Sequence, residues 1–273
     1  MVPPRPARLV RLAVFLGTAF AAIAAAVRAD ECAQCTAKAM CAPHKEVDKG
    51  ALETFKAAYK DKDPERRIAA LKALAEVNRA HDNHRSRAAA QAMAAALRDP
   101  AAEVRREIPP LLGGTQEAAT ALKALGTALD AHLGKLDKLD LKKARGTPEY
   151  TQDLLWLRAL YQGVQKTANR EASPWFVRGL VMMNAEVVQD AAKTCGHLKT
   201  RAVIDAVLTA LEHLAGTDAT EATGNAWREV CKALPEMTGH TGVAPQKDSN
   251  DAARFVNDWK EWWKANRGKK QFE

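Results

Sequence analysis

The feature that most constrains this chain is a pair of amphipathic segments, 184–196 and 200–214, which meet at Gly196. In each segment the apolar residues recur every three to four positions, which places them on one side of an α-helix. The two stripes consist of Val187, Val188, Ala191, Ala192 and Cys195 in the first segment, and Ile204, Val207, Leu208, Leu211 and Leu214 in the second. Each stripe is too wide to leave in water and too small to close a core alone. Such a pair must stack on similar pairs, which predicts an α-solenoid of antiparallel helix pairs.

Helix signals extend along the whole chain, and strand signals are nearly absent. No apolar alternation of period two persists, and Ala, Leu, Lys, Arg and Glu greatly outnumber β-branched residues. A capping residue precedes proline four times, at 63–64, 99–100, 147–148 and 173–174. The capping oxygen accepts a bond from a free amide of the first turn, and proline at the first helical position gives up a donor that has no partner there. The chain is therefore predicted to be all-α, with helices that start at these four pairs.

Equivalent signals recur with a period near 40 residues. Asp63 and Asp99 lie 36 residues apart, and the helix-ending glycines Gly196 and Gly239 lie 43 apart. Segments 63–74 and 99–108 resemble the turn and inner helix of a HEAT repeat. Segment 184–214 resembles the shorter HEAT subtype that is also seen in phycobilisome lyases, in which the outer helix begins with Arg-Ala-Val, here at 201–203. The resemblance covers roughly residues 60 to 240 and implies a HEAT-like superhelix.

One local feature departs from that pattern. Pro109 and Pro110 fall inside the helix that is expected to begin at Pro100. Proline removes a backbone donor and disfavours helix in the residue before it. The sequence therefore predicts that this helix breaks after about two turns.

The first 29 residues have the pattern of an export signal. Arg5, Arg8 and Arg11 precede the apolar run 12–27, and small residues flank Arg28 as a signal peptidase requires. The run is shorter than the roughly 20 residues that cross a bilayer. We expect cleavage after Ala29 and a periplasmic or extracellular protein, with an uncleaved anchor as the alternative. Without residues 1–29 the chain keeps 37 basic and 33 acidic side chains, a net charge of +4 instead of +8.

The rest of the chain is predicted to form three parts. Residues 30–61 hold a Cys/His-containing segment and a first helix, 62–244 the HEAT-like repeats, and 245–273 a tryptophan-rich helix. In that last helix Phe255, Trp259, Trp262 and Trp263 lie at i, i+4, i+7 and i+8, on one side. A solenoid needs a cap that covers its last repeat, so these four residues are predicted to form it. An exposed aromatic platform for a sugar or peptide is the alternative.

The amino-terminal segment carries the strongest candidate for chemistry. Cys32, Cys35, Cys41 and His44 have the spacing C-x2-C-x5-C-x2-H, which suits a tetrahedral zinc ion. An oxidising compartment favours instead a disulfide with one thiol left over. The third alternative is an unstructured lead. The zinc site is thus a possible cofactor site, and the disulfide is the favoured interpretation.

The remaining cysteines and histidines have structural interpretations. Cys195 and Cys231 lie on apolar stripes of neighbouring helices, with an offset of roughly 10 Å along them, too far for a disulfide. Two buried free thiols are predicted. His81 and His84 flank Asp82 and Asn83, which indicates a polar turn that caps the next helix, with a small metal site as the alternative.

Catalytic signatures are missing from the sequence, which contains no Gly-x-Ser-x-Gly, His-Glu-x-x-His or phosphate-binding glycine loop. We therefore expect no enzyme, no catalytic residue and no resident cofactor, but an exported scaffold that binds a protein or peptide through the concave helix surface. A metal-binding protein or lyase-type enzyme that uses the amino-terminal Cys/His cluster is the alternative. Nucleic acid is not expected, because the charge is thinly spread and the protein is exported. No membrane span is expected in the mature chain.

Overall fold

The computed structural model describes residues 42–77, 86–242, 244–247 and 251–272. These residues form twelve α-helices, two short 3₁₀ turns and no β-strand, which confirms the all-α prediction for the described part of the chain. The helices are α1 Ala42–Ala58, α2 Pro64–Val77, α3 Arg87–Ala96, α4 Ala102–Gly113, α5 Ala118–Leu136, α6 Leu141–Ala144, α7 Pro148–Lys166, α8 Ser173–Leu180, α9 Ala185–Cys195, α10 Arg201–Ala215, α11 Glu221–Thr238 and α12 Ala252–Asn266.

Two of the predicted capping pairs start helices as expected. The Thr147 hydroxyl accepts a hydrogen bond from the Tyr150 amide at 3.2 Å, at the start of α7. Asp63 Oδ1 accepts from the Glu65 amide at 2.9 Å, at the start of α2. In both cases proline occupies the first helical position, where its missing N–H costs nothing. At these two positions the capping residue followed by proline therefore marks the start of a helix, as predicted.

The other two pairs behave differently. Asp99 Oδ1 accepts from the Ala101 amide, and α4 begins only at Ala102. Ser173 lies inside α8, and its hydroxyl donates to the Arg170 carbonyl of the preceding 3₁₀ turn. The predicted helix start at 173–174 is confirmed, but the capping role of Ser173 is wrong, because its hydroxyl is bonded to the preceding turn and does not accept from the first turn of α8.

The principal helix contacts form two series of neighbours. In the first series α1 contacts α3, α3 contacts α5, α5 contacts α8, α8 contacts α10, and α10 contacts α12. In the second series α2 contacts α4, α4 contacts α7, α7 contacts α9, and α9 contacts α11. Further contacts join the two series between helices that are close in sequence, such as α1 with α2 and α10 with α11. Each helix therefore packs mainly on helices that are near it along the chain.

The two stripes that dominate the sequence form part of the core. Val187, Ala191 and Cys195 of α9 are fully buried, as are Ile204 and Leu211 of α10. The same pattern of buried apolar residues runs through α2, α4, α5 and α7. Burial of a large aliphatic side chain contributes about 1.5–3 kcal/mol. The predicted amphipathic faces are confirmed for the described helices.

The predicted break at Pro109 and Pro110 is wrong, because α4 continues through both prolines to Gly113. The reason is the unusually close packing of α4 on α7. A Cβ atom added to Gly113 would lie 1.9 Å from the Gly163 carbonyl oxygen, so the two backbones meet without side chains between them. Pro109 is buried in this contact. We attribute the continuous helix to this packing, which offsets the two backbone hydrogen bonds that the prolines cannot make.

A buried ion pair links α2 to the start of α4. The Arg67 guanidinium donates to both carboxylate oxygens of Asp99, at 2.9 and 3.0 Å, and the Tyr59 hydroxyl donates to the same carboxylate at 2.5 Å. Burial alone would raise the pKa of Asp99, but the hydrogen bonds from Arg67 and Tyr59 outweigh it and hold the pKa below its usual value. The first two helix pairs are therefore joined by a specific polar contact as well as by apolar packing.

Candidate functional site

The predicted zinc or disulfide cluster cannot be placed. Cys32, Cys35 and Cys41 lie outside the described residues, as does the side chain of His44. The export signal 1–29 and the pair His81 and His84 also lie outside them. The choice between disulfide, zinc site and unstructured lead therefore stays a prediction. One zinc ion per chain, lost on Cys35→Ser, is the result that distinguishes the metal site from the disulfide.

The part of the chain that the structure describes contains no group of three or more His, Cys, Asp or Glu side chains that could hold a metal ion. Cys195 and Cys231 are free and buried, which confirms the prediction of two buried thiols. Burial raises the pKa of each thiol to about 12. Because the thiolate is the reactive species, both are poor nucleophiles near neutral pH.

The predicted tryptophan cap lies on α12. Trp259 and Trp263 are buried, and the Trp263 indole N–H donates to Asp205 of α10 at 2.7 Å. Trp262 is half-buried, and the His240 ring stacks on it with 4.4 Å between centroids. Phe255, also half-buried, contacts the Trp259 ring edge to face. The Trp263 hydrogen bond attaches α12 to α10, the last helix before it in the first series, and the His240 ring joins it to the segment that follows α11. The capping role itself stays a prediction.

A candidate binding surface lies on the second series of helices. We define the second-series face as the exposed or half-buried side chains of α2, α4, α7, α9 and α11. Its long polar side chains include the cations Arg66, Lys72, Arg106, Arg158, Lys193 and Lys232, the anions Glu65, Glu76, Glu103, Glu107, Glu186 and Glu229, and the amides Gln162, Gln189 and Asn225. Both signs of charge are present, and amides are interspersed with them. Such a surface can form hydrogen bonds and ion pairs with a protein. It lacks the uniformly positive field that attracts a polyanion.

Two ion pairs connect successive helices across this face. Lys72 of α2 pairs with Glu107 of α4 at 3.2 Å, and Arg158 of α7 pairs with Asp190 of α9 at 3.0 Å. Asp190 is buried, and burial raises its pKa even though Arg158 opposes the shift. The exposed pair of Lys72 and Glu107 contributes at most about 1 kcal/mol. The main effect of the two pairs is to orient the side chains along the face.

A cavity of about 380 Å³ lies between the α8–α9 and α10–α11 turns. One wall carries Met183, which is 74% exposed, and the other carries His213 and Thr217. Arg145 at its rim is held by Glu186 through two hydrogen bonds of 3.0 and 2.8 Å. The cavity combines the flexible apolar side chain of Met183 with polar groups. The charge of Arg145 is already neutralised by Glu186.

No known family model matches this chain, and a search of curated proteins finds no relative. The HEAT resemblance therefore depends on the motifs at 63–74, 99–108 and 184–214. No helix among the described residues has the length and apolar character needed to span a bilayer.

Proposed function

We propose that this chain is an α-solenoid of the HEAT type that acts as an exported scaffold and binds a protein or peptide partner without catalysis. The observation that carries the proposal is the pair of contact series, in which α2, α4, α7, α9 and α11 follow one another. Helices stacked in this way align their exposed sides into one extended surface. In HEAT-type repeats the corresponding inner helices line the concave face, so we assign the second-series face to the partner.

The composition of the face supports this assignment. It presents Gln162 and Gln189 on neighbouring helices, flanked by Arg158 and Lys193. A specific protein interface buries about 800 Å² on each partner, which requires contributions from several adjacent helices. The ion pairs of Lys72 and Arg158 connect successive helices of this face. Binding is therefore expected to depend on many side chains, with no single dominant residue.

The location of the partner follows from the amino-terminal pattern. Export after cleavage at Ala29 places both proteins in the periplasm or outside the cell, and α12 closes the far end of the stack in this proposal. Nucleic acid is not the partner, because the charges on the second-series face are of both signs.

The test uses a photo-crosslinking amino acid at single positions of the full chain in its native envelope. Gln162 and Gln189 are the test positions, and Thr209, exposed on α10 of the first series, is the matched control. We expect the two test positions to capture the same partner and Thr209 to capture none. Circular dichroism of each variant must stay helical. Equal capture from all three positions, or capture from Thr209 alone, would refute the assignment of the second-series face.

A further inference from the structure

A second surface lies on the other series of helices, where a groove of about 670 Å³ separates α3 from α5 and reaches Trp156 of α7. Arg87, Gln91, Ala94 and Arg98 line it from α3 and its carboxyl end, at i, i+4, i+7 and i+11. The wall from α5 consists of Thr120, Lys123, Ala124, Thr127, Ala128, Ala131, His132 and Lys135. Alanine and threonine make up five of the eight residues of the α5 wall, so this side of the groove leaves space between the helices. The groove is therefore shaped mainly by the small side chains of α5.

The charge of this groove has one sign. Four cations line it, and none of the described lining residues is acidic. Lys135 is neutralised by Asp153, whose carboxylate oxygens lie 2.6 and 2.7 Å from Nζ. Within the described part of the chain, the side chains of Arg87, Arg98 and Lys123 have no hydrogen-bond or ion-pair partner. The groove therefore differs from the second-series face, where cations and anions are both present.

The spacing of the cations indicates the shape of the ligand. Arg87 and Arg98 are separated by about 16 Å along α3, and Lys123 and Lys135 by about 18 Å along α5, at 1.5 Å per residue. A single phosphate or carboxylate cannot contact charges so far apart. A chain with several negative groups along its length can contact them. About five extended or eleven helical residues of a peptide cover the distance from Arg87 to Arg98. The methyl groups of Ala94, Ala128 and Thr127 suit the aliphatic parts of such a peptide.

The α5 wall is held rigidly by polar contacts with its neighbours. His132 Nε2 lies 2.8 Å from the Asp153 carbonyl oxygen of α7, and Lys135 pairs with the same residue. On the other side of α5, Asp130 accepts hydrogen bonds from the Trp175 indole and the Arg178 guanidinium of α8. A wall fixed in this way loses little conformational entropy when a ligand binds. The groove is thus available as a preformed site.

We propose that the groove between α3 and α5 binds an acidic peptide segment of a partner protein, with Arg87, Arg98 and Lys123 as the groups that contact its carboxylates. This goes beyond the function proposed for the second-series face, because the groove belongs to the other series of helices. The two sites are separable by mutation.

The test measures fluorescence anisotropy of a labelled, glutamate-rich peptide of about 12 residues against the full mature chain at low and moderate salt. The groove variant combines Arg87→Ala, Arg98→Ala and Lys123→Ala. A control variant combines Lys56→Ala, Lys142→Ala and Lys264→Ala, which removes the same charge at exposed positions outside both the groove and the second-series face. We expect at least a tenfold loss of affinity in the groove variant and less than a twofold change in the control. Equal losses, or no binding by the wild type, would overturn the proposal.

A steric variant separates the groove from general charge attraction. Ala131 is exposed and lines the groove, so Ala131→Trp fills it without a change of charge. We expect this variant to keep its helical circular dichroism and to lose at least fivefold in peptide affinity. Unchanged affinity would show that the peptide does not enter the groove. An oligonucleotide of equal charge that displaces the peptide and binds tighter would overturn the choice of a peptide, as would displacement by millimolar inorganic phosphate. Neither result affects the crosslinking test of the second-series face.

Discussion

The substitution Gly163→Ala probes the close backbone contact between α4 and α7. A Cβ atom at this position would lie 2.5 Å from the Pro109 carbonyl oxygen and 2.8 Å from the Pro109 Cβ atom. Real Cβ atoms essentially never come within 3.0 Å of another heavy atom, and the neighbour here is backbone that cannot rotate away. The methyl group therefore has to push α4 and α7 apart by at least half an ångström.

The expected loss follows from two opposed effects. Alanine in a helix interior is favoured over glycine by about 1 kcal/mol. Overpacking of a tight contact costs typically about 1–3 kcal/mol, and separation of α4 from α7 also weakens the packing around Ile108 and Leu160. We expect a net loss of about 1–2 kcal/mol in the free energy of unfolding, which lowers Tm by about 2–8 °C in a chain of this size.

The assay is urea and thermal unfolding, with Gly50→Ala as the matched control. Gly50 lies inside α1, and a Cβ atom there meets no atom within 4 Å. The control should therefore be neutral or stabilised by up to about 1 kcal/mol. If Gly163→Ala were as stable as the wild type while Gly50→Ala behaved as expected, the close approach of α4 and α7 would be refuted.

Three further predictions concern buried polar, aromatic and thiol groups. Asp99→Asn should cost about 1–3 kcal/mol at pH 7, and Asp190→Asn almost nothing, as measured by urea unfolding. Because the folded pKa of Asp99 is lowered, its carboxylate stabilises the fold above about pH 4, and this stabilisation is lost on acidification. Because burial raises the folded pKa of Asp190, its contribution to the free energy of unfolding instead becomes more favourable as the pH falls. Trp263→Ala should speed hydrogen exchange in α10 and α12 and leave α2 unchanged, and uniform acceleration would contradict the local role of α12. In a variant without the three amino-terminal cysteines, Cys195 and Cys231 should react with Ellman's reagent at pH 8 only after unfolding, and rapid labelling of the folded protein would be inconsistent with their burial.

The features that sequence predicted correctly are local. The buried stripe that includes Val187 and Ala191 is predicted by the helical period alone, and the capping role of Thr147 by its position before proline. Gly239 ends α11 in the left-handed region with φ of +70°, and its amide donates to the Pro235 carbonyl, which suits glycine because it lacks a Cβ atom. Each of these signals lies within a few residues of the structure that it determines.

The features that sequence did not predict depend on residues far apart in the chain. The helix continues through Pro109 because Gly163, on another helix, lets α4 approach closely. The carboxylate of Asp99 is held by Arg67, and no local pattern indicates that they meet. The groove needs the α3 and α5 stripes to face each other. A weak signal was present, since Arg87 and Arg98 share one side of an alanine-rich helix.

The central claim is that the helices form an open stack with α1 and α12 at opposite ends. Pulsed electron resonance between spin labels at Lys56→Cys and Lys264→Cys, in a background without native cysteines, measures the separation of these ends directly. Five steps along the first series at about 9 Å each predict a distance near 45 Å. A distribution centred below about 25 Å would contradict the stack and the binding surfaces derived from it. Such distances are typical of two helices that are direct neighbours or are separated by one other helix.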